Sequence, residues 1–202
     1  GKYININNRK IWFQRLSFIG ELGWEIYIPI KETNIIFKKI KKIGKKYNLT
    51  FSGMHALDIL RMEKKFLHWG HDITSENNPF EAGLSFAVSF KKDFDFIGRE
   101  ALIKLRNKPL SRKLELFSLK NNFESGKPLL LHDEPIFEKN KIIGQTTSSN
   151  YSFYFKKNLC LAYIDNSIKN HDNIKIEVEG KRYALKLEKT ALFDPDLEYL
   201  KS

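Results

Sequence analysis

Six short apolar runs crowd the second half of this chain, and they constrain its architecture more than any other feature. After Asn107-Lys108-Pro109 come Lys113 to Leu119, Pro135 to Phe137, Ile142 to Thr146, Leu159 to Ile164, Ile174 to Val178 and Tyr183 to Leu187. Polar, glycine- or asparagine-containing turns such as Glu179-Gly180 separate them. Runs of this length between turn residues predict strands, and their spacing predicts a small antiparallel barrel or Greek-key sheet.

The first 107 residues carry a different pattern. Lys10 to Ser17 alternates loosely and predicts a strand. Trp24 to Ile30 predicts a second, with Trp24, Ile26 and Ile28 on one face and Glu25 and Tyr27 on the other. Between them Gly20-Glu21-Leu22-Gly23 predicts a tight hairpin connection. From Thr33 to Tyr47, Ile36, Ile40, Ile43 and Tyr47 recur at helical spacing, and lysines fill much of the rest. Such a basic amphipathic helix has a membrane-surface reading, but a solvated lysine face over a packed isoleucine stripe is the stronger one. A second helix is expected from Ser52, as N-cap, to Phe66 or Leu67, with Met54, Leu57 and Leu60 on one stripe and Asp58 paired with Arg61 on its surface. Thr74 to Pro79 reads as a loop, Gly83 to Phe90 as a strand and Gly98 to Arg106 as a short helix. Strands and helices in this order predict an α+β arrangement with helices on a mostly antiparallel sheet. The expected division is therefore 1–107, α+β, and 108–202, barrel.

Composition excludes several classes of function. A net charge of +11 would ordinarily suggest nucleic acid, yet the basic residues are spread along the chain, lysine outnumbers arginine, and no recognition motif accompanies them. No nucleic-acid partner is expected. No apolar run approaches the roughly 20 residues of a membrane span, and the asparagine-rich start does not read as a signal peptide. The expected compartment is the cytoplasm, with no membrane partner. The single Cys160 sits in the apolar run NLCLAYI and reads as a core residue. His55 and His68 lack companions at metal-ligand spacing, so no metal is expected.

Four blocks carry a family resemblance: RLSFIGELGWEIYIPI at Arg15 to Ile30, ALDILRMEKKFLHWGHDITSENNPFEAGLSFAV from Ala56, DFIGREAL from Asp95, and GKPLLLHDEPIFEKNKIIGQTTSS from Gly126. Together they resemble the folate-binding module of glycine-cleavage aminomethyltransferases, and more closely its version at the C-terminal end of dimethylglycine and sarcosine dehydrogenases. The resemblance implies the C-terminal half of an aminomethyltransferase folate-binding domain followed by a small antiparallel β-barrel. It implies tetrahydrofolate as cofactor, with FAD only if a dehydrogenase domain lies upstream. The implied partners are folate, a small amine-derived one-carbon donor and the missing N-terminal half, for the family's catalytic half precedes these blocks and the chain is expected to be a fragment.

The resemblance also suggests site residues. Glu25 matches the acidic residue that holds the pterin, within the block Gly20, Glu21, Gly23, Trp24, Glu25. A carboxylate there can accept two adjacent N–H donors side by side; the competing reading is a residue alternating outward into water. Phe18 and Phe86 stand where relatives carry Tyr and Trp, and wall a flat ligand or simply pack in the core. Leu57 replaces an arginine of the glycine-cleavage branch. In Trp69-Gly70-His71-Asp72 the first two residues are expected to set a turn and the last two to satisfy backbone groups. No residue is nominated as catalytic, because the family's acid belongs to the segment upstream. The rival reading is non-catalytic: a regulatory or interaction subunit sharing the fold, as in the pyruvate dehydrogenase phosphatase regulatory subunit. A third, the folate-binding protein of iron–sulfur maintenance, is disfavoured because Lys64-Lys65-Phe66-Leu67 lacks that protein's cysteine.

Overall fold

The computed structural model describes residues 1–6, 8–121, 123 and 127–201. The chain forms two compact units, Gly1–Phe66 with Phe193–Ser202, and Leu67–Leu192.

In the first unit β1 (Lys2–Ile6), β2 (Arg9–Gln14) and β3 (Glu25–Tyr27) form an antiparallel sheet in that order. Strand β1 escaped the sequence reading because its flanking asparagines mask the Tyr3, Ile4, Asn5, Ile6 alternation. Ile4 pairs with Ile11, which is fully buried, while Tyr3 packs edge-on against Trp12 at 4.9 Å. The expected tight hairpin is instead the long connection 15–24. Its glycines serve close approach rather than a two-residue turn. Gly20 sits at φ +83°, where a Cβ would lie 2.6 Å from Lys64 Cγ, and a Cβ on Gly23 would lie 2.8 Å from the Leu16 carbonyl oxygen.

Helix α1 (Thr33–Gly44) continues into a 3-10 turn at Lys45–Tyr47 and stops at Asn48 in the left-handed region. Of its predicted stripe only Ile36 is buried; Ile43 and Tyr47 are exposed. Helix α2 (Met54–Glu63) begins after Gly53 with no side-chain cap, so Ser52 does not cap it. Its buried residues are Ile59, Arg61, Met62 and Glu63, while Met54 is exposed. The Asp58–Arg61 pair forms at 2.7 Å, but Arg61 is only 1% exposed and also donates to the Phe66 carbonyl at 3.1 Å. A charge at an i, i+3 spacing reads as surface by pattern; here carbonyl and carboxylate acceptors make its burial tolerable.

The chain's last segment returns to the end of α2. Phe193 donates its N–H to Glu63 O at 3.0 Å, and the buried Lys64 ammonium pairs with the Asp194 carboxylate at 2.6 Å and also reaches the Asp194 carbonyl. Burial alone would raise the Asp194 carboxyl, but Lys64 and the amides of Glu198 and Tyr199 more than offset it and hold it below the usual carboxylate range. A depressed carboxyl stabilises the fold above its unfolded value, near 4, and that contribution is lost as pH falls through the folded value. Protonating Asp194 leaves the buried Lys64 ammonium without its counter-charge, so the segment 193–201 should detach early in acid. Amide NMR during an acid titration checks this, and a segment still docked at about pH 2 would contradict it.

The second unit is a closed six-stranded barrel of β4 (Arg112–Leu119), β5 (Pro135–Glu138), β6 (Lys141–Ser152), β7 (Lys157–Asp165), β8 (Ile174–Val178) and β9 (Lys181–Glu188), in the order β4-β7-β6-β5-β8-β9 with every pairing antiparallel. All six predicted runs are strands. The β8–β9 turn has Glu179 and Gly180 at φ +50° and +73°, as a two-residue hairpin requires. Phe117, Ile136, Ile143, Cys160, Ala162, Ile164, Ile174, Ile176, Val178 and Leu185 fill the barrel core. Burial pushes the Cys160 thiol up to about 12, so it should resist a disulfide reagent in the native protein and react only on denaturation; stoichiometric native labelling would refute this.

Residues 67–107 belong to the same unit as the barrel. Leu114 donates its N–H to Glu81 O at 2.8 Å, extending β4 onto this segment. Gly83 to Phe90 is not the predicted strand. Gly83 takes φ +72°, Ser85–Ala87 forms a 3-10 turn, and Phe86 is 85% exposed. Apolar content over so short a run cannot by itself separate strand from turn. Helix α3 (Arg99–Arg106) follows Gly98 as predicted. No helix among the described residues is long and apolar enough to cross a membrane.

Candidate functional site

The register of the first sheet determines what surrounds Glu25. Trp12 lies opposite Tyr27, Phe13 opposite Ile26, and Gln14 opposite Glu25. Directly paired residues point to the same side of a sheet, and side chains two apart share that side. Ile11, Phe13 and Ile26 therefore share one face, and Trp12, Gln14, Glu25 and Tyr27 share the other. The opposite placement of Glu25 and Tyr27 from Ile26 follows the predicted alternation.

The Tyr27 hydroxyl donates to Glu25 Oε2 at 2.5 Å. This hydrogen bond and the carboxylate's charge hold the Tyr27 phenol above its ordinary range, since ionising it would set two negative groups side by side. Trp12 Nε1 donates to Gln14 Oε1 at 3.4 Å, a long bond that ties the neighbouring pair together. Glu25 is half-buried and Tyr27 exposed. Because Oε2 keeps a second lone pair and Oε1 takes no donor from the described residues, the carboxylate can still accept two adjacent N–H groups. Its acceptor pair is complementary to the adjacent N–H donors on the aminopyrimidinone edge of a pterin. Trp12 and Gln14 were missed in the sequence because cross-strand pairing depends on the length of the 15–24 connection, which the pattern does not encode.

Phe18 lies half-buried within that connection, and Gly20 two residues on donates its N–H to Ser17 Oγ at 3.0 Å. Glu25 and Phe18 thus belong to the first unit. Phe86 belongs to the second and stands in solvent on its 3-10 turn, so packing in the core, the alternative reading for it, is not its environment within that unit.

The Trp69-Gly70-His71-Asp72 block forms a turn closed by the Gly70 N–H bond to Ile73 O at 2.8 Å, with Gly70 at φ +90°. Asp72 is 1% exposed. Its carboxylate accepts the His68 N–H at 2.9 Å, and the Thr147 hydroxyl at 2.5 Å. Thr147 reaches it because a register shift between Thr146 and Ser148 bulges β6. Asp72 is thus a structural acceptor, and His71 stacks on His68 at 4.4 Å. Among the described residues no group of three or more His, Cys, Asp and Glu could hold a metal ion.

Residues 1–92 match the family model of the GCVT N-terminal domain, and residues 112–194 that of the glycine cleavage T-protein C-terminal barrel domain. The chain is 32% identical over 183 residues to mitochondrial dimethylglycine dehydrogenase of Mus musculus, matching 90% of this chain and 21% of that protein. It is 30% identical over 184 residues to the mitochondrial pyruvate dehydrogenase phosphatase regulatory subunit of the same organism, across 85% of this chain and 21% of the other. The chain thus spans about a fifth of the length of these relatives. Its structure is similar to the glycine cleavage system aminomethyltransferase T from Bartonella henselae with a TM-score of 0.80 and 23% identity, covering 92% of this chain and 50% of that one; this likeness is one of fold. With an aminomethyltransferase fold closed by the family's C-terminal barrel, and with two successive models of that family matched over most of its length, the chain belongs to the glycine cleavage T-protein family.

Proposed function

We propose that this chain supplies the pterin-holding surface of a tetrahydrofolate-dependent one-carbon transfer protein of the T-protein and dimethylglycine dehydrogenase type. The observation that carries this reading is the Glu25 carboxylate, half-buried on a strand, aligned by the Tyr27 hydroxyl and flanked across the sheet by Trp12 and Gln14. Bound tetrahydrofolate would supply the nitrogens that take up an aminomethyl or iminium carbon from a small amine-derived donor. The chain's own residues bind and orient. Glu25 accepts the paired N–H donors of the pterin, Tyr27 fixes the carboxylate's rotamer, and Phe18 offers an aromatic wall. Orientation of this kind lowers the barrier by fixing the reacting atoms near each other. No residue here is assigned as the acid of the transfer.

That assignment makes an expected result. Supplied with tetrahydrofolate and an aminomethyl or dimethylglycine donor, the 202-residue chain by itself should stay at the uncatalysed rate. Turnover well above that background would place the acid within this chain and overturn the assignment.

A second reading is supported by the match to the phosphatase regulatory subunit: the chain serves interaction without turnover. Tetrahydrofolate binding separates the two. Saturable binding that depends on Glu25 supports the first reading. Absence of binding, even in a fusion with the part of an aminomethyltransferase that this chain does not cover, supports the second.

A further inference from the structure

At one end of the barrel, β4 and β9 run past the segment 166–172 and leave a cleft of about 360 Å³ whose polar lining includes Lys120, Lys169, His171, Asp172, Lys186 and Lys189. Four of its nine lining residues are lysine, against 35 lysines and arginines in 202 residues overall. The concentration therefore exceeds what the basic composition alone supplies. Asp172 is the one acidic residue of the lining.

Local bonding holds the Lys120 and Lys169 ammonium groups in place through carbonyl oxygens, which carry no full charge. Lys120 extends the β4–β9 ladder through its N–H bond to Ala184 O at 2.9 Å, and its ammonium donates to the Asp172 carbonyl at 2.7 Å. That carbonyl is presented by a turn in which the Asp172 N–H donates to Asn170 Oδ1 at 2.8 Å. The Lys169 ammonium donates to Asn166 O at 2.6 Å. Both lysines are thus anchored by carbonyl dipoles, which orient a charge but do not cancel it. Lys186 reaches Glu188 at 3.4 Å, but that carboxylate also faces Lys157 at 3.7 Å and accepts the Ser118 hydroxyl at 2.7 Å. One negative charge serves two ammonium groups. Leu185 and Leu187 of β9 supply the apolar part of the lining, so the floor of the cleft is partly apolar.

Excess positive charge in a concavity whose wall is partly apolar concentrates multivalent anions, because the low-dielectric wall limits screening. Lysine ammoniums are compact point charges without the planar fork that favours a single carboxylate. Spread around a cleft, they suit an anion whose charge is itself spread over linked phosphoryl groups. The volume lies near the lower limit of small-molecule sites. We propose that this cleft binds a small anion carrying two or more phosphoryl groups, a site that does not depend on the folate reading above.

The test is a titration of inorganic pyrophosphate into the whole 202-residue chain at fixed ionic strength, followed by calorimetry and by amide NMR. Expected are one saturable site, amide shifts at Lys120, Lys169 to Asp172 and Lys186 to Lys189, and weaker binding of inorganic monophosphate. The double variant Lys169→Glu/Lys189→Glu should weaken pyrophosphate binding about tenfold or more. Lys38→Glu/Lys42→Glu on α1 makes the same change in net charge and should leave affinity within about twofold. All four lysines are exposed, so both variants should keep the wild-type denaturation midpoint. Equal weakening by the two double variants, shifts elsewhere on the surface, or no saturation by about 10 mM would overturn the proposal. So would a single-stranded oligonucleotide that binds the chain and is not displaced by pyrophosphate, since the basic surface would then serve nucleic acid.

Discussion

Phe117→Ala is expected to cost about 3–5 kcal/mol of stability, the largest effect of any single substitution considered for this chain. Phe117 is fully buried on β4, paired with Cys160 of β7 on one side and Leu187 of β9 on the other. It therefore sits where three strands of the barrel meet. Truncation removes its transfer free energy and leaves a void that a closed barrel cannot collapse to fill. Domains of this size are stable by only about 5–15 kcal/mol, so the variant should be marginal or unfolded at 37 °C. Phe86→Ala, by contrast, alters a side chain already 85% exposed and should change stability by less than about 0.5 kcal/mol. Denaturant titration of both variants reads the difference. A Phe117→Ala midpoint close to the parent's would mean that the barrel core is not where the second unit's stability resides.

The barrel was legible in the sequence because two independent signals agreed there: runs of strand-forming residues, and turn residues able to take positive φ, as at Glu179-Gly180. Even so, β6 extends through Thr147, Ser148, Ser149 and Asn150 to Ser152, a polar stretch that no hydrophobic pattern marks. Backbone pairing with the apolar β7 carries it. The first unit was less legible because its environment overrides its pattern. Arg61 is buried since carboxylate and carbonyl acceptors meet it, and Met54 is exposed despite lying on the apolar stripe. Gly20 and Gly23 mark close packing against Lys64 and Leu16 rather than a short turn. At the candidate site the alternation of Glu25 and Tyr27 could be read directly, whereas Trp12 and Gln14 enter only through the register of β2 on β3. The Lys64–Asp194 pair spans 130 positions, a distance over which one sequence offers no signal.

Replacing Glu25 by Ala is expected to weaken tetrahydrofolate binding about ten- to a hundredfold, the equivalent of roughly 1.5–3 kcal/mol for hydrogen bonds to a charged group. The measurement calls for a fusion of this chain with the part of an aminomethyltransferase that it does not cover, titrated by calorimetry. The size of the effect follows from asymmetry: removing the acceptor leaves the pterin's N–H donors buried and unpaired, which costs more than the bond itself contributes. Glu21, in the 15–24 connection and outside the strand, should matter far less, so Glu21→Ala provides the comparison. A second readout needs no ligand. Because Glu25 raises the Tyr27 phenol through a hydrogen bond and a negative charge, Glu25→Gln should bring its titration back toward the ordinary tyrosine value near 10. With the raised value, the contribution of this pair to stability is complete below the unfolded pKa and is lost as pH rises through the folded one. A Tyr27 titration moved by Glu25→Gln, together with an unchanged dissociation constant in Glu25→Ala, would establish the pair's geometry while sinking its role in holding the pterin. An unmoved Tyr27 titration with weakened binding would mean that Glu25 meets the ligand without the alignment proposed for Tyr27.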